Sequence, residues 1–287
     1  MTFSRPVDTG MVFDRRAVER PAFRRRRRGD ERVRLLGADI DLMRSEEVMV
    51  LVRESVANGR KALVANHDLR SLNLVRRDPV VRSFFGRADL VEVGSTPLLA
   101  WARLLGGSSR ALHRGAFVDW RDHFWSLAAR QGWRVFYLGG APGAADRAAR
   151  ALTERWRGLK LGRHDGQFGD AEEAGVLAKI AAFKPDVLLV GMPMPRQEHW
   201  IDAHFEALPN CVIVTLGDSL GGGGGLERAV PGWVSKAGVE GLFRVACRPF
   251  ALIGRYIVEP LMVADLAYAD VLAALRRGPS LGSPEAA

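Results

Sequence analysis

The sequence is poor in the residues that build disulfide scaffolds, metal centres and membrane spans. It has two cysteines, Cys211 and Cys247, in 287 residues. They fit neither a disulfide framework nor a zinc spacing. Cys211 opens a strand-like run and reads as a buried thiol, which points to a reducing compartment. No apolar run reaches the roughly 18–20 residues of a spanning helix, and no h-region with a cleavage site follows Met1. Any membrane contact is therefore expected to be peripheral. No Asp-x-Asp pair ends a strand and no His/Cys/Glu grouping has ligand spacing, so a metal clamp on a diphosphate has no support. A nucleophile elbow and a Ser/His/Asp order are missing too. There is no internal repeat. Low complexity is confined to the arginines 24–28 and the glycines 221–225.

What is abundant is positive charge, and it is uneven. Lys and Arg total 42 against 33 Asp and Glu, a net charge of +9. Through Arg34 there are 11 arginines and 5 acids, which accounts for +6 of that excess. Residues 1–32 carry no apolar period and repel themselves, so they read as a disordered basic arm. Such an arm can bind nucleic acid, lie on anionic lipid, or stay solvated. The rest of the chain is only mildly basic, which argues against a nucleic-acid-binding fold.

Strand-like and helix-like runs alternate through the body. Strands are expected at Val33–Leu36, Ala62–Ala65, Leu90–Val93, Val135–Leu138, Leu159–Leu161, Val187–Val190 and Val212–Thr215. Helices are expected at Ser45–Asn58, Pro97–Leu105, Trp120–Gln131, Ala144–Arg157 and Ala171–Phe183. This alternation predicts an α/β fold, a mostly parallel Rossmann-like sheet with helices on both faces. After Glu227 the pattern turns helical, with Arg244, Arg248 and Arg255 set among apolar residues. Four segments follow: the arm 1–32, an α/β domain 33–226, a helical appendage 227–278 and a disordered tail 279–287. The appendage suits either a membrane surface or packing on the sheet.

Three places at strand ends carry candidate chemistry. The loop Gly191-Met192-Pro193-Met194-Pro195 delivers Arg196, Gln197 and Glu198 to the first turn of a helix, where open α/β sheets bind ligands. The run Gly139-Gly140-Ala141-Pro142-Gly143 joins a strand to a helix and can bring backbone close to a phosphate, though it also serves as a tight turn. Asn66, at the end of another strand, can hold a ligand hydroxyl or cap the next helix. Asp119, in the polar–aromatic cluster with Trp120, reads as an N-cap. Together the two glycine-shaped loops favour a nucleotide-diphosphate cleft.

From Val33 to Pro260 the chain resembles the WecG/TagA/CpsF family of bacterial glycosyltransferases. The resemblance rests on Asn66, Ala88-Asp89-Leu90-Val91, Leu104-Leu105-Gly106, Val118-Asp119-Trp120, Leu138-Gly139-Gly140, Met194-Pro195-Arg196-Gln197-Glu198 and Arg248-Pro249. It implies transfer of a sugar, N-acetylmannosamine-like, glucose-like or a uronic acid, from a UDP-sugar to a lipid-diphosphate-linked acceptor. The setting implied is cell-surface polysaccharide synthesis on the inner face of the cell membrane. The chemistry implied is inverting and metal-independent, with no cofactor, and a homo-oligomer is compatible with it. Asn66, Gly139, Gly140, Gly143, Gln197 and Glu198 would hold the nucleotide-sugar, and Arg244, Arg248 and Arg255 the acceptor diphosphate.

The chain departs from the family where the family carries its proposed catalytic Asp, in an Asp-Gly pair. Gly94-Ser95 stand there instead. Either Glu92 or Asp218 takes over proton transfer, or the chain is an impaired relative that binds nucleotide-sugar or a partner of the assembly machinery. General-base loss costs roughly 10²–10⁴-fold.

Overall fold

The computed structural model describes residues 32–41, 44–93, 117–217 and 264–277, with 98, 101, 104 and 261 as isolated positions. Strands β1 (Arg32–Leu35) and β2 (Ala38–Asp41) open the chain, then helix α1 (Ser45–Ala57) and β3 (Ala62–His67). Next come α2 (Leu69–Arg77), α3 (Pro79–Arg87), β4 (Leu90–Val93), α4 (Phe117–Gln131) and β5 (Arg134–Gly139). The remainder is α5 (Ala144–Arg155), β6 (Lys160–His164), α6 (Asp170–Phe183), β7 (Val187–Gly191), α7 (Arg196–His204), β8 (Val212–Thr215) and α8 (Ala264–Arg277).

Six strands pair in the order β4-β3-β8-β7-β5-β6, all parallel. Central strands such as Val187-Leu188-Leu189-Val190 are apolar throughout because both faces are covered. Leu63, Ala65, Val91, Leu188, Val190 and Ile213 point to one face, where they meet Val81 and Phe84 of α3, Ile180 of α6, and Trp200 and Ile201 of α7. Alternate residues point the other way, toward α1, α4 and α5, whose buried side chains include Val48, Trp120, Phe124 and Ala148. Cys211 is buried as the sequence implied, and burial pushes its thiol up to about 12.

Two aspartates align the amino ends of the strands in the same way. Asp89 exchanges backbone and side-chain bonds with Leu63, and Asp186 does so with Arg134, each at 2.7–2.9 Å. Each stands immediately before a strand, so its carboxylate satisfies an amide at the start of the neighbouring strand, the second of β3 and the first of β5.

One expected strand behaves differently. Val33–Leu36 does not join the sheet. It pairs antiparallel with β2 through a Leu36–Gly37 turn, both at positive φ (+48° and +75°), as a two-residue type I′ hairpin requires. The hairpin packs on β4, and Asp41 accepts from the Val91 amide at 2.9 Å, which blunts an exposed sheet edge. Helix α8 caps this corner. Its Asp270 accepts from the Leu36 amide at 2.7 Å, its Asp265 pairs with Arg76 at 2.8 Å, and Leu266 and Ala267 pack on the cluster of Leu36, Ile40 and Leu72. The chain therefore carries a C-terminal helix on its α/β body. Among the described residues, no helix is long and apolar enough to cross a membrane.

Candidate functional site

The connection from β5 runs through α5 to β6, and that from β7 runs through α7 to β8, on the opposite face. Adjacent strands whose crossovers diverge leave a crevice at their carboxyl ends. Its floor is glycine. Gly139 and Gly191 are register partners, and a Cβ on Gly139 would lie 2.3 Å from the Gly191 carbonyl oxygen. A Cβ on Gly166 would lie 2.9 Å from Gly139 Cα. The amides of Gly140 and Gly166 donate to the carbonyls of Gly191 and Gly140, both at 3.0 Å. Three strand exits are thus locked together through backbone contact that no side chain would allow.

Helix α5 begins after Gly143, which sits at φ +75°. The sequence offers this N-terminus as a phosphate cradle or as a tight turn, and in the structure two of its donors are engaged. Asp165, just past β6, accepts from the Gly143 amide at 2.8 Å and from the Ala145 amide at 3.0 Å. An internal carboxylate holds the place that an anion takes at a free helix start.

At the exit of β7, Gln197 and Glu198 are both 1% exposed. The Gly217 amide donates to Gln197 Oε1 at 3.0 Å, and Gln197 Nε2 donates to Glu198 Oε1 at 2.9 Å. Glu198 Oε2 is buried with no hydrogen-bond partner among the described residues. Burial raises this carboxyl above its ordinary range, with the charge of Asp68 adding to the effect. Arg196 turns away, its guanidinium on the Phe168 carbonyl and ring. Across β8, Arg70 reaches from α2 to the Met194 carbonyl at 3.1 Å.

At the exits of β3 and β4, Asn66 and Glu92 are register partners on the face covered by α4. Glu92 is 3% exposed and accepts from Trp120 Nε1 at 3.1 Å. Burial holds its carboxyl well above the usual range, and the nearby charge of Asp119 pushes the same way. Asn66 is not the cap of the next helix. Asp68 is, accepting from the Ser71 amide at 2.8 Å. Asp119 is not a cap either, because α4 starts two residues earlier, at Phe117. His67 points to the opposite face, stacked on Phe85 at 3.8 Å with Nδ1 on Ser71 Oγ, and burial lowers it to about 3.

The structure therefore brings Gln197, Glu198 and Gly217 together, sets Asn66 beside Glu92, and joins Gly139 and Gly140 to Gly191. Gly94, Asp218, Arg244, Arg248 and Arg255 lie outside the described residues. Asp165, Gly166 and Gly217 were missed from sequence. Asp165-Gly166 follows a strand that was expected to end at Leu161 but runs to His164, so the pair was not read as a strand-end loop.

A parallel six-stranded sheet with a glycine-floored crevice and buried carboxyls at its carboxyl edge defines a Rossmann-like α/β scaffold. The chain belongs to the glycosyl transferase WecG/TagA/CpsF family, whose model matches residues 33–277. It is similar to the N-acetylglucosaminyldiphosphoundecaprenol N-acetyl-beta-D-mannosaminyltransferases of Staphylococcus aureus strains MW2 and MRSA252. Each is 26% identical over 246 residues, 83% of this chain and 93% of the relative.

Proposed function

We propose that this protein transfers a sugar from a UDP-sugar to a lipid-diphosphate-linked sugar at the inner face of the cell membrane, in cell-surface polysaccharide synthesis. The observation that carries the nucleotide half of this reading is the buried Gln197–Glu198 pair beside the switch-point crevice. The acceptor half comes from the relatives, whose name specifies a diphosphoundecaprenol-linked acceptor.

The chemistry is an inverting displacement. An acceptor hydroxyl attacks the donor's anomeric carbon, the carbon–phosphate oxygen bond breaks, and UDP leaves with the electron pair. The hydroxyl proton goes to a carboxylate, and Glu92 is assigned that role because it is the described carboxyl nearest Gly94 in sequence. A raised pKa makes Glu92 a stronger base once ionised. Asn66, beside it in register, orients a sugar hydroxyl. Gly139, Gly140 and Gly143 shape the floor under the diphosphate by close backbone approach, since Asp165 already holds two of the helix donors. Arg244, Arg248 and Arg255 are assigned to the acceptor diphosphate, which their planar guanidinium forks suit.

Binding is tested by calorimetric titration with UDP, with and without chelator. Saturable binding unchanged by chelator supports a metal-independent uridine-diphosphate cleft. No heat and no thermal shift at millimolar UDP would remove the basis of this reading.

A further inference from the structure

Gln197 and Glu198 do different jobs, and the hydrogen bonds show which does which. The Gly217 amide can only donate, so the atom facing it must be the Gln197 carbonyl oxygen. That fixes the amide's orientation and turns Nε2 toward Glu198 Oε1. Gln197 is thereby tied on both sides, to the exit of β8 and to the next residue of its own helix. Glu198 has one oxygen held and one left without a partner among the described residues, in a side chain that is 1% exposed. An unmet buried carboxylate oxygen is costly, and a native fold keeps one where a ligand completes it.

We infer that Glu198 Oε2 accepts a hydrogen bond from the nucleoside half of the donor, a ribose hydroxyl or the imide N–H of the base, with Gln197 as its positioning residue. This rests on the nucleotide-cleft reading above and assigns the contact within it. The location agrees: the first turn of α7 stands at the exit of β7, one of the two strands that diverge at the crevice. The fixed polarity also makes glutamine a poor replacement. An amide at 198 that offers its oxygen to Gln197 Nε2 presents its NH₂ to the ligand's donor. Flipped, it sets its NH₂ against that of Gln197. Neither orientation satisfies both neighbours.

The test is a binding cycle. UDP, 2′-deoxy-UDP and 3-methyl-UDP are titrated into the wild type, Glu198→Gln and Glu198→Ala, with thermal melts of each free protein. Wild-type affinity for UDP should exceed that of both variants by roughly 10–100-fold, the range of a hydrogen bond to a charged group. One analogue should lose a similar factor against the wild type and little further against Glu198→Ala. Loss confined to the deoxy compound assigns the ribose, and loss confined to the methyl compound assigns the imide. Free Glu198→Gln, which keeps an acceptor for Gln197 Nε2 and removes a buried carboxyl, should melt no lower than the wild type, whereas Glu198→Ala orphans that donor and should melt lower. If UDP binds the wild type but every analogue loses the same factor in Glu198→Ala, Glu198 does not touch the nucleoside and the inference is overturned while the cleft stands. If UDP does not bind the wild type, the cleft reading fails and this contact falls with it.

Discussion

Trp120 Nε1 donates to Glu92 Oε1 at 3.1 Å, joining the first turn of α4 to the penultimate residue of β4. A neutral indole donor and burial surround this carboxyl, and the nearby Asp119 adds negative charge, so its neutral form is favoured. The folded pKa is raised above the unfolded one. Its stabilising contribution is therefore complete below the ordinary carboxylate range and is lost as pH rises toward the folded pKa.

Glu92→Gln keeps an acceptor for Trp120 and removes that loss. The variant should melt higher than the wild type at neutral and mildly alkaline pH, with the two converging near pH 4. It should also transfer sugar about 10²–10⁴-fold more slowly. The wild-type rate should rise with pH along a limb placed well above the ordinary carboxylate range, and the variant should lack that limb. Paired melting curves and pH–rate profiles check this. Unchanged transfer by Glu92→Gln would move proton transfer to Asp218.

His67 predicts a stability change of the opposite sign. Its folded pKa of about 3 lies below the usual 6.5, because burial outweighs the attraction of Asp39. The unfolded chain takes up a proton that the folded chain refuses, so stability is intact above pH 6.5 and falls as pH drops toward 3. The full loss is on the order of 5 kcal/mol. Urea unfolding from pH 7 to 4 should show a shallower decline for His67→Gln than for the wild type.

Much of this was legible in the chain. Val187-Leu188-Leu189-Val190 and Val212-Ile213-Val214 read as buried parallel strands because they are apolar without alternation. The loop before Gln197 was marked by its glycine and prolines. What escaped was set by partners far away in sequence. Nothing local to Ala38-Asp39-Ile40-Asp41 says that it pairs with Arg32–Leu35 rather than joining the sheet. Helices α2 and α3 hold a single apolar stripe among arginines and went unread, although Asp78-Pro79 is a helix start, with Asp78 accepting from the Val80 and Val81 amides. Nothing local marks Asp165, since only folding brings its carboxylate to the amides that open α5.

The glycine floor predicts a sharp contrast between two alanine substitutions. Gly139→Ala drives a methyl into the Gly191 carbonyl at 2.3 Å, a backbone atom that cannot swing aside. It should cost about 3 kcal/mol or more, at the upper end of overpacking. Gly169→Ala, at φ −90° with open space around it, should be close to neutral. Denaturant midpoints of the two proteins decide it.

Sugar transfer itself is the most direct test. The wild-type protein is incubated with a short-chain lipid-diphosphate-linked N-acetylglucosamine and a panel of UDP-sugars, N-acetylmannosamine first, with chelator present, and the lipid is weighed by mass spectrometry. The account predicts a product heavier by one sugar residue with at least one donor, at a rate that Glu92→Gln lowers about 10²-fold or more. A protein that binds UDP but yields no heavier lipid with any donor would contradict it, and would mark the chain as a nucleotide-sugar-binding relative without transfer.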